Sequence, residues 1–139
     1  LGRYASNPNA NHIKALIHLL GYMARTAQYT MTLDGSENSD QNTVYSDSDW
    51  AGDLDDRSST TGYAVYLGRS LVFWKSSKQT CISESTMEAE FVAAHTAYKT
   101  AKWIFDTLKE MGVEGKCVKL YCDNMAAIKA MKDTMKGKY

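Results

Sequence analysis

Three carboxylates in three separate stretches carry the chemistry this sequence can do. Asp47 lies in YSDSDWAGDLDD (45–56), a segment with five aspartates in twelve positions; Glu90 lies in STMEAEF (85–91) and Asp123 in YCDNMAAI (121–128). Carboxylates brought to one place repel unless they are protonated or share a cation. Oxygen-only ligands that leave room for water and phosphate suit Mg2+ or Mn2+. Two such ions, about 3.5–4 Å apart, clamp an in-line attack on a phosphodiester. The expected chemistry is metal-dependent phosphodiester hydrolysis.

Each residue also has a plainer reading. Asp123 alone is a turn former or helix N-cap, Glu90 alone a helix-border residue satisfied by water or a lysine, and Asp53, Asp55 and Asp56 a solvated turn. A calcium loop is excluded on spacing. Asp47, Asp49 and Gly52 fit its positions 1, 3 and 6, but Ala51 stands at position 5 and Ser58 where a bidentate glutamate is required.

The elements around these residues must bring them together. TVYSD (43–47) reads as a strand, TGYAVYL (61–67) and LVFW (71–74) as a hairpin joined by Gly68-Arg69-Ser70, and CVKLYCD (117–123) as a later strand. If the first and last of these run parallel side by side, Asp47 and Asp123 lie at the carboxyl edge of one sheet. Between them, Ser85 to Met111 reads as a long helix, with capping-box spacing at Ser85 and Glu88 and Gly112 past its end. Its stripe of Met87, Phe91, Ala94, Tyr98, Ala101, Phe105 and Leu108 predicts the core face. Glu90 borders that stripe, and Ala89, Ala93, Ala94 and Ala97 allow close approach to a sheet. NMAAIKAM (124–131) starts a further helix.

Upstream, residues 9–25 predict an amphipathic helix with Ile13, Leu16, Ile17, Leu20 and Met23 on one side and Pro8 near its start. Tyr29 to Leu33 is a strand candidate, and 34–42 a polar linker. The order predicts an α/β fold with a mixed sheet.

Composition bounds the partners. The chain has 139 residues, 44% hydrophobic, with 16 basic and 16 acidic side chains. That is enough apolar material for a packed core, and the zero net charge argues against a stand-alone, charge-driven nucleic-acid binder. Cys81, Cys117 and Cys122 form no zinc-type spacing and predict free, buried thiols in a reducing compartment. No apolar run is long enough to span a membrane. The opening Leu1 predicts a piece of a longer product. His12, His18 and His95 form no nucleophile–base set with a serine or cysteine. Trp74 and Trp103 are expected in the core.

RYASNP (3–8), YSDSDWAGDLDDRSSTTGY (45–63), WKSSKQ (74–79), STMEAEF and YCDNMAAI, in this order, resemble the ribonuclease H domain of copia-type LTR retrotransposon Pol polyproteins, preceded by the end of the reverse transcriptase. The resemblance covers nearly the whole chain. It implies a ribonuclease H-like mixed sheet with flanking helices, with residues 1–41 the C-terminal end of the reverse transcriptase or connection segment and 42–139 the ribonuclease H-like domain. It implies an enzyme that cuts the RNA strand of RNA·DNA hybrids with Mg2+ or Mn2+, as two ions, held by Asp47, Glu90 and Asp123. Glu88 is then the structural member of its motif. Substrate contacts are expected from Ser48, Asp49, Asn124, Lys75, Lys78 and Gln79, and a modest basic end from Lys116, Lys119, Lys129, Lys132, Lys136 and Lys138. The expected partners are the hybrid and the reverse transcriptase of the same polyprotein, within a cytoplasmic virus-like particle or the nucleus. The family continues into a last strand and a helix with a fourth acidic ligand, whereas this sequence stops at KGKY (136–139). The alternative is a non-catalytic, truncated or host-retained fragment of the same fold, acting in nucleic-acid binding or assembly.

Overall fold

The computed structural model describes residues 1–34, 42–53, 55–113 and 118–136. Residues 35–41 of the linker expected over 34–42, Lys116, Cys117 and residues 137–139 lie outside the described residues, and Asn42 already belongs to the first strand. Two compact units are present, Leu1–Thr32 and Leu33–Tyr139.

In the first unit, helix α1 spans Ala10–Thr26. Asn9 caps it: its Oδ1 accepts from the amides of Asn11 and His12, and His12 Nδ1 accepts in return from the Asn9 amide at 3.0 Å. His12 also stacks on Tyr4. Histidine thus takes the reciprocal place usually filled by Glu or Gln. The apolar side of α1 is exposed, with Ile17 63% and Met23 57% accessible. The strand expected at Tyr29–Leu33 does not form; these residues are irregular. Apolar and β-prone residues make a strand only where a partner satisfies their ladder, so local composition misled here.

The second unit is built on a four-stranded sheet of order β3-β2-β1-β4. Strand β1 is Asn42–Asp49, β2 Thr60–Leu67, β3 Ser70–Lys78 and β4 Val118–Tyr121. β1 and β2 pair antiparallel, as do β2 and β3, while β1 and β4 run parallel. The β2–β3 turn is two residues, with Gly68 at φ +59° in the first position, so Ser70 already belongs to β3. A glycine first in a two-residue turn matches the right-handed twist of the flanking strands. A bulge at Val65/Tyr66 shifts the register of that hairpin.

Helix α2, Thr86–Glu110, covers one face of the sheet. Ser85 Oγ accepts from the Glu88 amide, whereas the Glu88 carboxylate accepts from Glu84 N rather than Ser85 N, so half of the expected capping box forms. Gly112 takes φ +81° just past the end. The core joins Val44, Tyr63 and Val65 to Ala97 and Ala101, with Phe73, Ile104, Phe105 and Leu120 packed around it. Full burial of Val44 and Val65 contributes about 1.5–3 kcal/mol each. The buried face of α2 is Ala89, Glu90, Ala93, Ala94, Ala97 and Ala101. The expected stripe is therefore rotated: Met87 is more than a third and Tyr98 more than half exposed. Methyl-sized residues let the helix lie close on the sheet, which places the larger side chains at the flanks.

Helix α3, Met125–Lys136, packs against α2. On the other sheet face, Tyr45 stacks on Tyr121 and meets Tyr66 edge-on. Trp74 follows in the same row through Ala64. Trp74 and Trp103 are 61% and 65% exposed, against expectation, because each points away from the α2–sheet interface. Among the described residues, no helix is long and apolar enough to cross a membrane.

A carboxylate and thiol cluster at the sheet edge

The parallel register of β1 and β4 aligns Tyr45 with Tyr121. Asp47 and Asp123 each lie two residues further on, so both stand at the carboxyl edge, at the level where the strands end. Strand alternation puts Asp47 on the same face as Tyr45, while Ser46 and Ser48 face α2. Asp47 and Asp123 line a cleft of about 490 Å3, together with Tyr45, Tyr63, Tyr121 and Cys122.

Glu90 approaches from the helix side. It is 6% exposed. Its Oε1 accepts from the Ser48 amide at 3.0 Å and from Ser48 Oγ at 2.9 Å. The Cys122 thiol donates to Oε2 over 3.8 Å. The carboxylate is thus fixed by three donors on the two strands it bridges, and among the described residues no lysine or arginine forms an ion pair with Glu90, Asp47 or Asp123. Burial, the largest cause, pushes the Cys122 thiol above its ordinary range; the amide of Asn124 opposes this, and the nearby Glu90 and Asp123 add to it.

One ligand atom each from Glu90, Cys122 and Asp123 lies within 4.8 Å of the other two. Asp47 is not in that set; it shares the cleft with Cys122 and Asp123. Two of the three expected carboxylates are therefore drawn together directly, and a thiol joins them. Cys122, expected only as a small buried residue, is half-buried and aimed at Glu90. Cys122 and Asp123 lie just past β4, so their convergence on Glu90 was not readable from strand alternation.

The remaining expected contacts divide clearly. Ser48 is engaged in holding Glu90. Asp49 folds over its own loop, so close to Gly52 that a Cβ there would meet its carboxylate at 1.9 Å. Asn124 caps α3 through Oδ1, which accepts from Ala127 N. Lys75 is exposed on β3. Lys78 is bound 2.8 Å from Asp53 and 2.5 Å from Asp56 and so neutralises the acidic turn. Gln79 is not available to a phosphate: it is buried, donating to Thr61 and the Ala89 carbonyl and accepting from Ser83. A long amide three residues past Ser76 fills the gap where β3 leaves the sheet. Cys81, expected to be buried, is exposed.

A mixed sheet of this order, one helix laid on its face and carboxylates gathered at the edge of two parallel neighbours, defines an α/β protein with a ribonuclease H-like fold. No family model matches the chain. It is 34% identical over 97% of its length to a retrovirus-related Pol polyprotein from transposon TNT 1-94 of Nicotiana tabacum, covering 10% of that protein. It is 38% identical over 91% of its length to that of transposon RE2 of Arabidopsis thaliana, covering 9%. It is also 36% identical over 75% of its length to the secreted RxLR effector protein 161 of Plasmopara viticola, covering 72%. The chain is thus similar to a segment of retrovirus-related Pol polyproteins from plant transposons, and it spans about a tenth of the length of the polyproteins it matches.

Proposed function

We propose that the chain is the ribonuclease H portion of a copia-type Pol polyprotein, residues 1–41 being the end of the reverse transcriptase, and that it cuts the RNA strand of RNA·DNA hybrids inside the cell during reverse transcription. The observation that carries this reading is the register of β1 and β4, which levels Asp47 with Asp123 at the edge where α2 delivers Glu90. The oxygen donors of these residues fit hard divalent cations such as Mg2+ or Mn2+, which when bound would polarise the phosphodiester and supply a hydroxide. Ser48 keeps Glu90 turned toward the strands. Asp47 and Asp123 offer their carboxylates from the cleft side, where the substrate backbone has access. Lys75 and Asn124 remain the candidate contacts to the hybrid, which enzymes of this kind select through RNA 2′-hydroxyls and phosphates.

The test is cleavage of a labelled RNA·DNA hybrid with Mg2+ or Mn2+, by this chain and by a C-terminally extended version. Cleavage that is lost in Asp47→Asn and Glu90→Gln is the expected result. Absence of cleavage by both folded versions would overturn the reading.

One observation favours a second reading. The relative that this chain covers to 72% is named as an effector, not as a polymerase segment. On that reading the chain is a retained, non-catalytic fragment that binds nucleic acid or assembles with a partner, and it would bind a hybrid without cutting it.

A further inference from the structure

We propose that Glu90, Cys122 and Asp123 form a binding site for a soft divalent cation of the zinc class. One ligand atom from each lies within 4.8 Å of the others. Cys122 Sγ and Glu90 Oε2 are 3.8 Å apart. A Zn–S bond of about 2.3 Å and a Zn–O bond of about 2.1 Å at the tetrahedral angle span about 3.6 Å, so this pair is already close to a coordination edge.

The two elements that carry the ligands are fixed independently. Glu90 sits in the second turn of α2 and is 6% exposed, with Ser48 holding Oε1 and leaving Oε2 toward the thiol. Cys122 and Asp123 follow directly on β4. Asp123 is exposed, and its carboxylate oxygen already lies within 4.8 Å of both other ligand atoms. The fourth position opens on the cleft that Cys122 and Asp123 line, leaving room for water.

The donor set decides the metal class. A thiolate selects zinc or cadmium over magnesium, while two carboxylates complete an anionic cradle. On binding, the S–H bond of Cys122 breaks, the sulfur–metal bond forms and the proton leaves to solvent; nothing is oxidised or reduced. The site does not depend on the nuclease reading. Where that reading holds, a zinc-class ion seated here withdraws Glu90 and Asp123 from the reaction and acts as an inhibitor.

The probe is Cd2+, titrated into the chain carrying Cys81→Ser and Cys117→Ser so that Cys122 is the sole thiol. The thiolate-to-cadmium charge-transfer band is followed, and Zn2+ is then added as competitor. One equivalent should bind and persist in a large excess of Mg2+. The band should vanish in Cys122→Ser, and the affinity should fall at least about tenfold in Glu90→Gln and Asp123→Asn. Should the two serine substitutions unfold the chain, the difference between the unsubstituted chain and Cys122→Ser reads the same band. A folded protein without the band overturns the proposal. So does an unchanged affinity in Asp123→Asn and Glu90→Gln, which would mean capture by a lone thiol. Since no hybrid is present, the outcome is separate from that of the cleavage test.

Discussion

Two acidic regions lie on either side of β1 and resolve their charge in opposite ways. In the turn after it, Asp53 and Asp56 share Lys78, which comes from β3, and Asx turns take up the neighbouring amides: Asp53 Oδ1 accepts from Asp55 N and Asp56 Oδ1 from Ser58 N. At the sheet edge, Glu90 is buried against hydroxyl, amide and thiol donors, and among the described residues no lysine or arginine pairs with it. A carboxylate removed from water without a positive partner is costly unless donors are placed on it. The turn, with three aspartates, needs no ligand; the edge, with as many acids, is the place that would accept a cation. Density of acidic residues is a poor guide to a metal site, and the sign of what surrounds each acid is a better one.

Neutralising one acid in each region puts that contrast to its hardest test. Glu90→Gln should lower hybrid cleavage at least about a hundredfold, whereas Asp53→Asn should leave it within about twofold; equal losses would erase the distinction. A smaller effect is expected from Ser48→Ala, which removes the 2.9 Å hydroxyl bond but keeps the amide. It should lower stability by about 1–2 kcal/mol in urea unfolding and slow cleavage by about tenfold. Lys78→Met should cost only a slight fall in melting temperature and none of the activity, since exposed ion pairs contribute little.

The smallest effect is one of pH. The Lys78 bond, then the Ser58 hydroxyl and amide, hold Asp56 below its ordinary pKa of 3.8, and Asp53 followed by Asp56 raises Lys78 above 10.5. A depressed carboxylate stabilises the fold above its unfolded pKa and loses that contribution as pH falls through the folded value. A raised lysine does so below its unfolded pKa and loses it as pH rises. Asp56→Asn should therefore be slightly less stable than the unsubstituted chain between those limits, with the two acid-unfolding curves converging below the lower one.

Local signals in the sequence located the strands, the Gly68 turn and both ends of α2, since caps, alternation and turn glycines act over a few residues. The parallel pairing of β1 with β4 was legible as a condition, from carboxylates at the ends of two strand-like runs. What escaped depends on contacts distant in sequence. The buried face of α2 turned out to be its alanines, because helix–sheet spacing rather than side-chain size chose it. Gln79 proved buried only because Thr61, Ser83 and Ala89 converge on it. Lys78 is committed to aspartates 22 and 25 residues before it, a pairing that the β2–β3 hairpin creates. Ser48, expected at the substrate, holds Glu90 in the fold through a contact across 42 residues of sequence.

The alanine face of α2 acts as a lever with a graded tolerance. Ala101 stands eleven residues from Glu90, about 16 Å along the axis, and Ala93 only three, about 4.5 Å. A bulkier side chain at Ala101 lifts the far part of the helix, pivoting it about the contacts near Glu90, so it should register mainly as lost packing. The same added volume at Ala93 lifts the fulcrum itself and draws Glu90 off Ser48. Errors of fit near one end of the helix are absorbed by the fold, and near the other they are transmitted to the sheet edge.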